Sequence, residues 1–231
     1  MIVAFDLDDT LYPEEAFVRS GFNSVALALH RRWGISQGEA FQAMWDSLER
    51  DGRGRQLDAV VERFGLRGRQ SIAELLRIYR RHPPSISLPP ESRAVLEGLA
   101  PRPLYVVTDG HKLVQQNKID ALGIAPLLHH AYITHRYGIR NRKPSVHVFA
   151  LMMGRERCGP EEIVYIGDDP SKDFRGIRPL GIHTIRLLTG RQSRLVVPAG
   201  QDAELTLAGI AEVPAAIAAI EARAPRAATA R

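Results

Sequence analysis

The sequence is poor in cysteine and has no long apolar run. Its 231 residues include one cysteine, Cys158, so no disulfide can form within the chain. No apolar run approaches the ~20 residues that a membrane-spanning helix needs. The N-terminal apolar run meets Asp6 too soon for a secretory signal. We therefore expect a cytoplasmic protein with no membrane partner.

Two nucleotide-binding patterns are also missing: there is no P-loop and no complete glycine pattern of the dinucleotide-binding type. The net charge is only +5, and residues 50–82 carry nine arginines against four carboxylates. This segment is interpreted either as a solvated helical surface or as an attractor of a phosphorylated ligand. No interleaved aromatics or known nucleic-acid-binding fold accompany it, so we expect no nucleic-acid partner.

Short apolar runs recur along the chain, with helical segments at 111–122 and 144–153 between the later ones. The runs are residues 2–5, 104–107, 131–133, 163–166 and 182–185. Runs of this length bounded by turn residues are typical of buried parallel strands, and their alternation with helices predicts a parallel α/β sheet.

About ninety residues separate the first apolar run from the next, and their apolar spacing predicts helices. We expect a core at 1–13 and 90–222, an inserted helical domain at 14–82, a proline-rich linker at 83–89 and a flexible tail at 223–231.

Carboxylates gather where two of the predicted strands end. They are Asp6, Asp8 and Asp9 after the first run, and Asp168, Asp169 and Asp173 after the fourth. Ligands of open α/β sheets bind beyond the carboxyl ends of the strands. Clustered carboxylates repel one another unless a cation or protons neutralise them, and oxygen ligands suit Mg²⁺. The sequence therefore predicts a site for a hard cation such as Mg²⁺ here; the alternative is an acidic loop exposed to solvent, which the position at the end of an apolar strand disfavours.

Two further residues favour phosphate chemistry. Thr108 ends the second run and precedes a helix, whose N-terminal N–H groups can bind an anion. Lys143 precedes Pro144 and another predicted helix, where it can supply a cation.

The order of these motifs resembles that of the haloacid dehalogenase superfamily of phosphatases and phosphotransferases. The matching motifs are DLDDT at 6–10, Thr108, Lys143 before Pro144, and GDDPSKD at 167–173. The resemblance runs from residue 2 to about residue 185, and the helical insert lies where the superfamily places its type-one cap. It implies a Rossmann-like parallel sheet core with an inserted α-helical cap domain.

The resemblance also implies roles for the catalytic residues. Asp6 would be the nucleophile that forms an aspartyl-phosphate, and Asp8 would be the general acid and base. Thr108, Asp109 and Lys143 would bind the phosphoryl group.

The implied metal is Mg²⁺. It would be held by the Asp6 carboxylate, the Asp8 backbone carbonyl and Asp168, with Asp173 orienting a water molecule rather than ligating.

One residue departs from the superfamily pattern. Asp109 stands where Asn or Ser is common, and its charge could repel a phosphate. We expect its side chain to face away or to pair with His111 or Lys112.

We therefore predict Mg²⁺-dependent hydrolysis of a small phosphate monoester, such as a sugar phosphate or nucleotide, by a monomer or homodimer. Arg19, Arg53 and Arg55 are candidate cap contacts. A phosphomutase and a non-catalytic protein that binds a phosphate ligand are the alternatives. A phosphonate hydrolase is disfavoured, because it needs a cap lysine and residues 1–111 contain none.

Overall fold

A parallel six-stranded sheet forms the centre of the computed structural model, which describes residues 1–223. The strands are β1 (Ile2–Phe5), β2 (Leu104–Thr108), β3 (His130–Ile133), β4 (Ile163–Gly167), β5 (His183–Leu187) and β6 (Leu205–Leu207). Their order across the sheet is β3-β2-β1-β4-β5-β6. This architecture confirms the predicted Rossmann-like α/β fold.

Eight α-helices accompany the strands in the described part of the chain. They are α1 (Glu14–Trp33), α2 (Gln37–Asp51), α3 (Gln56–Arg63), α4 (Ile72–Arg81), α5 (Pro90–Gly98), α6 (Lys112–Leu122), α7 (His147–Glu156) and α8 (Val213–Arg223). Residues 224–231 of the predicted tail lie outside the described residues, and Arg223 ends α8. Within residues 1–223, no helix has both the length and the apolar composition for a bilayer crossing.

The start of α7 corrects one expectation. The sequence predicts a helix from Pro144, but the helix begins at His147. The preceding residues form a turn closed by the Ser145 N–H, which donates to the Arg142 carbonyl over 2.9 Å. Pro144 therefore belongs to the turn that carries Lys143, and not to the helix.

Strand β1 lies in the middle of the sheet and is apolar throughout. All four of its residues are buried, because strands of a parallel sheet are covered on both faces. The aromatic side chains Tyr105, Phe149, Tyr165 and Phe174 are fully buried and belong to the cluster that packs under this sheet. Close packing of this core therefore keeps β1 rigid, and Asp6 directly follows the end of β1.

Helices α1 to α4 form a second compact unit, comprising Glu14–Ile86 together with Gln116–Ala121 of α6. It has its own apolar core, which includes Phe22, Leu29 and Met44. The predicted domain boundaries placed residues 116–121 with the sheet, and the structure groups them with the insert.

Two contacts account for that grouping. The Asn117 amide donates to the Arg80 carbonyl over 3.5 Å. The Lys118 ammonium lies 3.6 Å from a Glu14 carboxylate oxygen and 4.4 Å from the centre of the Phe17 ring. Lys118 is buried, so this pairing satisfies a charge that would otherwise be costly to bury.

Two helices of the insert start near a serine that is followed three residues later by a glutamate, which is the capping-box pattern, and only one of the two serines makes the expected bond. The Ser36 hydroxyl accepts from the Glu39 N–H over 3.5 Å at the start of α2. Ser71 makes no such bond at the start of α4. Glu74 instead accepts two hydrogen bonds from Arg32, an interaction between distant residues that outweighs the local motif.

Candidate active site

The site forms where β1, β2 and β4 end side by side. Phe5 of β1 pairs in register with Val106 of β2 and Ile166 of β4, so the three strands end together. The Asp6 N–H donates to the Ile166 carbonyl over 2.8 Å, which extends the ladder by one residue. Asp6 therefore follows β1 at the same edge of the sheet at which Thr108 ends β2.

Lys143 forms a buried ion pair with two carboxylates. Its ammonium lies 2.6 Å from Asp6 Oδ1 and 2.8 Å from Asp173 Oδ1, and all three side chains are buried. Burial alone would lower the pKa of Lys143, but the charges of Asp173 and Asp6 outweigh it and raise the pKa above its usual value. The ammonium is therefore charged at neutral pH.

Asp173 is held on both oxygens. Its Oδ1 also accepts from the Tyr165 hydroxyl over 3.2 Å, and its Oδ2 accepts from the Asp169 N–H over 3.0 Å. A carboxylate engaged in this way is suited to fixing Lys143 rather than to ligating a cation. Asp6 has fewer partners: among the described residues, only Lys143 donates a hydrogen bond to its side chain.

Asp6, Asp168 and Asp173 form the carboxylate cluster of the site. One carboxylate oxygen of each lies within 4.8 Å of the others. Burial raises the pKa of Asp6 to about 6, partly opposed by Lys143. Burial, followed by the charges of Asp6 and Asp173, raises the pKa of Asp168 to about 9.

The donor set fits a hard divalent cation. Asp168 is 4% exposed, and its side chain accepts no hydrogen bond from the described residues. A buried carboxylate without a partner is costly, and a Mg²⁺ ion beside Asp6 and Asp168 would remove that cost. Both oxygens of Asp173 already accept hydrogen bonds, so Asp173 supports the site by holding Lys143 in place rather than by binding the ion.

Asp8 follows the point at which the chain leaves the strand. The Tyr12 hydroxyl donates to Asp8 Oδ1 over 2.7 Å, and the Gln115 amide donates to Oδ2 over 2.9 Å. Asp9 has a positive φ of 56°, and its N–H donates to the Tyr12 carbonyl over 2.9 Å. This turn is the strand-to-loop transition that the spacing of Asp6 and Asp8 requires.

Gln115 is a site residue that the sequence did not predict. Its amide also donates to the Thr108 hydroxyl oxygen, which is buried at the end of β2. The only available signal was its position in the first turn of α6, seven residues after Thr108, and a glutamine in a helix is usually a surface residue.

The Asp109 side chain binds the turn that carries Lys143. Its Oδ1 accepts from the Thr134 hydroxyl and, over 3.1 Å, from the backbone N–H of Lys143. These bonds anchor the turn that carries the lysine. They join the ends of β2 and β3 to that turn, a link between distant residues that no local motif encodes.

Two glycines permit close approaches at the site. A Cβ on Gly167 would lie 2.6 Å from Asp173 Oδ2, and a Cβ on Gly176 would overlap the Pro144 carbonyl oxygen. Larger residues would therefore displace Asp173 or the lysine turn.

The candidate cap arginines lie in the insert. Arg19 pairs with Glu15 over 2.7 Å, and Arg53 pairs with Glu14. Both arginines are largely exposed. Arg55 is also exposed and immediately precedes α3.

The comparisons with known proteins show the family. Residues 1–181 match the family model described as haloacid dehalogenase-like hydrolase. Because the match covers well over half of the chain, the protein belongs to this family, which confirms the resemblance drawn from the motifs.

Curated relatives are similar to this chain in sequence, and a solved structure is similar to it in fold. The chain is 28% identical over 204 residues to a glyceraldehyde 3-phosphate phosphatase of Methanocaldococcus jannaschii, covering 82% of this chain and 85% of the relative. It is 26% identical over 198 residues to the enzyme of the same name from Methanopyrus kandleri, covering 82% and 84%. A 2-haloacid dehalogenase from Pseudomonas syringae has a similar fold, with a TM-score of 0.64, 21% identity, and coverage of 95% and 99%.

Proposed function

We propose that the protein is a Mg²⁺-dependent phosphatase that hydrolyses a small phosphate monoester through an aspartyl-phosphate on Asp6. The broader class, a phosphoric monoester hydrolase of the haloacid dehalogenase family, follows from the family match and the phosphatases among its relatives. The observation that carries the proposal is the pairing of Asp6 with a buried, charged Lys143 near the restrained carboxylate of Asp8.

Asp6 is suited to act as the nucleophile. Lys143 binds its Oδ1, and no donor among the described residues binds its Oδ2, so that oxygen can attack phosphorus. The new Oδ2–P bond forms while the bond from phosphorus to the ester oxygen breaks. The electron pair of the broken bond goes to the leaving oxygen, which takes a proton from the Asp8 carboxyl group.

Hydrolysis of the aspartyl-phosphate reverses these roles. The Asp8 carboxylate takes a proton from water as the water oxygen attacks phosphorus. The Oδ2–P bond breaks, and its electron pair restores the Asp6 carboxylate. Phosphate leaves and Asp8 again carries the proton that the next cycle needs, so the two steps balance.

The remaining residues stabilise charge on the transferring group. Thr108 and the backbone after it would donate to phosphoryl oxygens at the start of α6. Lys143 would offset the negative charge that gathers between those oxygens and Asp6. The Asp109 side chain would act indirectly, by holding the Lys143 backbone.

Asp6 and Asp168 would hold Mg²⁺, with the Asp8 backbone carbonyl as the third protein ligand that the family resemblance implies. When bound, the ion supplies a positive charge that neutralises the phosphate and the buried carboxylates. The unpartnered Asp168 supports this assignment.

The substrate that we propose is a small phosphorylated metabolite, with glyceraldehyde 3-phosphate the first to test because two relatives bear that name. We propose the segment 14–82 as the cap and residues 1–13 and 90–222 as the catalytic core. Substrate selection by a cap is how one phosphate-binding core serves different esters.

The test is phosphate release from glyceraldehyde 3-phosphate, other sugar phosphates, nucleotides and small acid phosphates, with Mg²⁺ and with EDTA. We expect metal-dependent release by the wild type and none by Asp6→Asn. Asp120→Asn, the same change at an exposed position of α6, is the matched control and should retain activity.

Two other outcomes would replace the proposal. Transfer of the phosphoryl group back to the sugar would indicate a phosphomutase. Binding of phosphate esters without turnover, unchanged by Asp6→Asn, would indicate a binding protein.

A further inference from the structure

The Asp8 carboxylate is restrained on both of its oxygens by buried donors. The Tyr12 hydroxyl binds Oδ1 over 2.7 Å and the Gln115 amide binds Oδ2 over 2.9 Å. Tyr12 and Gln115 are each 2% exposed, so water cannot readily replace either donor. Each of these two bonds uses one lone pair of its carboxylate oxygen.

Gln115 links Asp8 to Thr108, the candidate phosphate-binding residue at the end of β2. Its amide nitrogen carries two hydrogens, and the structure directs one to Asp8 Oδ2 and the other to the Thr108 hydroxyl oxygen. Because Thr108 accepts this bond, its own hydroxyl hydrogen is left to donate elsewhere. One side chain thus orients both the proton donor and a candidate phosphate-binding hydroxyl.

Gln115 is itself held in place. The backbone N–H of Gln115 donates to the His111 carbonyl over 3.1 Å at the start of α6. Gly110 has a φ of 139°, and a Cβ at that position would lie 3.2 Å from the Gln115 side-chain amide carbon. The absence of that Cβ leaves space for the glutamine to lie against the strand end.

We propose that Gln115 is a positioning residue that, together with Tyr12, aims the Asp8 carboxyl group at the leaving oxygen of the substrate. This inference rests on the proposed function. In the first step the P–O bond to the leaving group breaks, its electron pair goes to the oxygen, and that oxygen takes the proton from Asp8. Proton transfer requires Asp8 to lie within hydrogen-bond reach, which free rotation of its side chain would not maintain.

The proposal predicts that the loss of activity in a variant with a misdirected Asp8 depends on the leaving group of the substrate. An alkoxide is a poor leaving group without a proton, whereas p-nitrophenolate leaves readily without one. A misdirected Asp8 should therefore slow hydrolysis of an alkyl phosphate much more than that of p-nitrophenyl phosphate. A general loss of structure would slow both substrates alike.

The experiment compares kcat/KM for glyceraldehyde 3-phosphate and for p-nitrophenyl phosphate, because this quantity reports on steps up to transfer to Asp6. The variants are Gln115→Leu and Tyr12→Phe, with Asp8→Asn as the reference for complete loss of the acid. Gln116→Leu is the matched control, since that neighbouring side chain donates to the exposed Asp120.

We expect Gln115→Leu to lower kcat/KM for the alkyl ester by about 10- to 100-fold relative to the aryl ester, the usual effect of a lost hydrogen bond to a charged group. The variant also loses the hydrogen bond to Thr108, which should lower kcat/KM for both substrates to the same extent. Tyr12→Phe leaves Thr108 unaltered, so its loss should be confined to the alkyl ester. Gln116→Leu should match the wild type.

The inference is overturned if Gln115→Leu and Tyr12→Phe leave the ratio of the two kcat/KM values unchanged while Asp8→Asn alters it. Circular dichroism of each variant checks folding, and Tyr12→Phe alone carries the test if Gln115→Leu does not fold. Failure of the wild type to hydrolyse any ester would instead refute the proposed function, and the inference with it.

Discussion

The buried ammonium of Lys143 predicts a large loss of stability when its charge is removed. Lys143→Met keeps a flexible aliphatic side chain but deletes the charge that lies 2.6 Å from Asp6 and 2.8 Å from Asp173. Both carboxylates are 3% exposed, so water cannot take the place of the lysine. Two negative charges would then remain buried without the ammonium that binds both of them in the metal-free protein.

Removal of one partner from a buried ion pair destabilises a protein by about 3–5 kcal/mol. Asp6 can relieve part of this by taking up a proton, since its pKa is already raised to about 6 by burial. We therefore expect a loss of about 3 kcal/mol at pH 7. Loss of Lys143 raises the folded-state pKa of Asp6 further above its unfolded value. The deficit should thus grow as pH rises and shrink below about pH 5.

Urea unfolding in EDTA measures the deficit, with hydrogen exchange of the β1 amides as the probe. Tryptophan fluorescence is unsuitable, because Trp33 and Trp45 both lie in the helical insert. Lys172→Met is the matched control. Its ammonium lies 3.4 Å from Asp169 and the side chain is 36% exposed, so although the charges of Asp6 and Asp173 also act on it, the loss should be smaller than that for Lys143→Met.

Two results would refute the reasoning. One is a deficit for Lys143→Met no larger than that for Lys172→Met. The other is a deficit that stays constant between pH 5 and pH 8, because charge burial requires it to change with protonation.

Further predictions concern pH, metal and packing. The pKa values of Asp6 and Asp168, raised to about 6 and about 9, mean that the folded protein holds more protons than the unfolded chain, so the melting temperature in EDTA should fall as pH rises from 4 to 9. Mg²⁺ should reduce this fall, and an unchanged slope would contradict the metal assignment. Gly176→Ala should lower the free energy of unfolding by about 2 kcal/mol and reduce activity, because its Cβ would overlap the Pro144 carbonyl oxygen. Gly98→Ala, whose Cβ meets nothing within 4 Å, should be neutral or slightly stabilising in the same denaturation assay.

The sheet was predictable because its pattern is local. Strand β1 occupies the same residues, 2–5, that form the first apolar run, and the later strands differ by one or two residues at their ends. A strand buried on both faces must be apolar throughout, so the run itself defines it. The family followed from the order of the motifs, and the family match confirms it.

The missed features depend on contacts between distant residues. The Gln115 amide meets Asp8 across 107 residues, and Asp109 meets the Lys143 backbone across 34. Neither contact leaves a periodicity or a spacing in the sequence. Helix α7 was predicted to begin at Pro144 because proline is favoured in a first turn, but that proline lies in the turn that carries Lys143.

The central position of β1 also sets an order of events during synthesis. Val3 pairs with Leu104 on one side and with Val164 on the other, so β1 leaves the ribosome before both of its neighbours. Helices α1 to α4 have their own apolar core and precede both neighbours in the chain. Local helical contacts form faster than distant strand pairs. The insert is therefore able to fold while β1 is still unpaired, and Asp6 gains its contact with Lys143 only after residue 143 has been made.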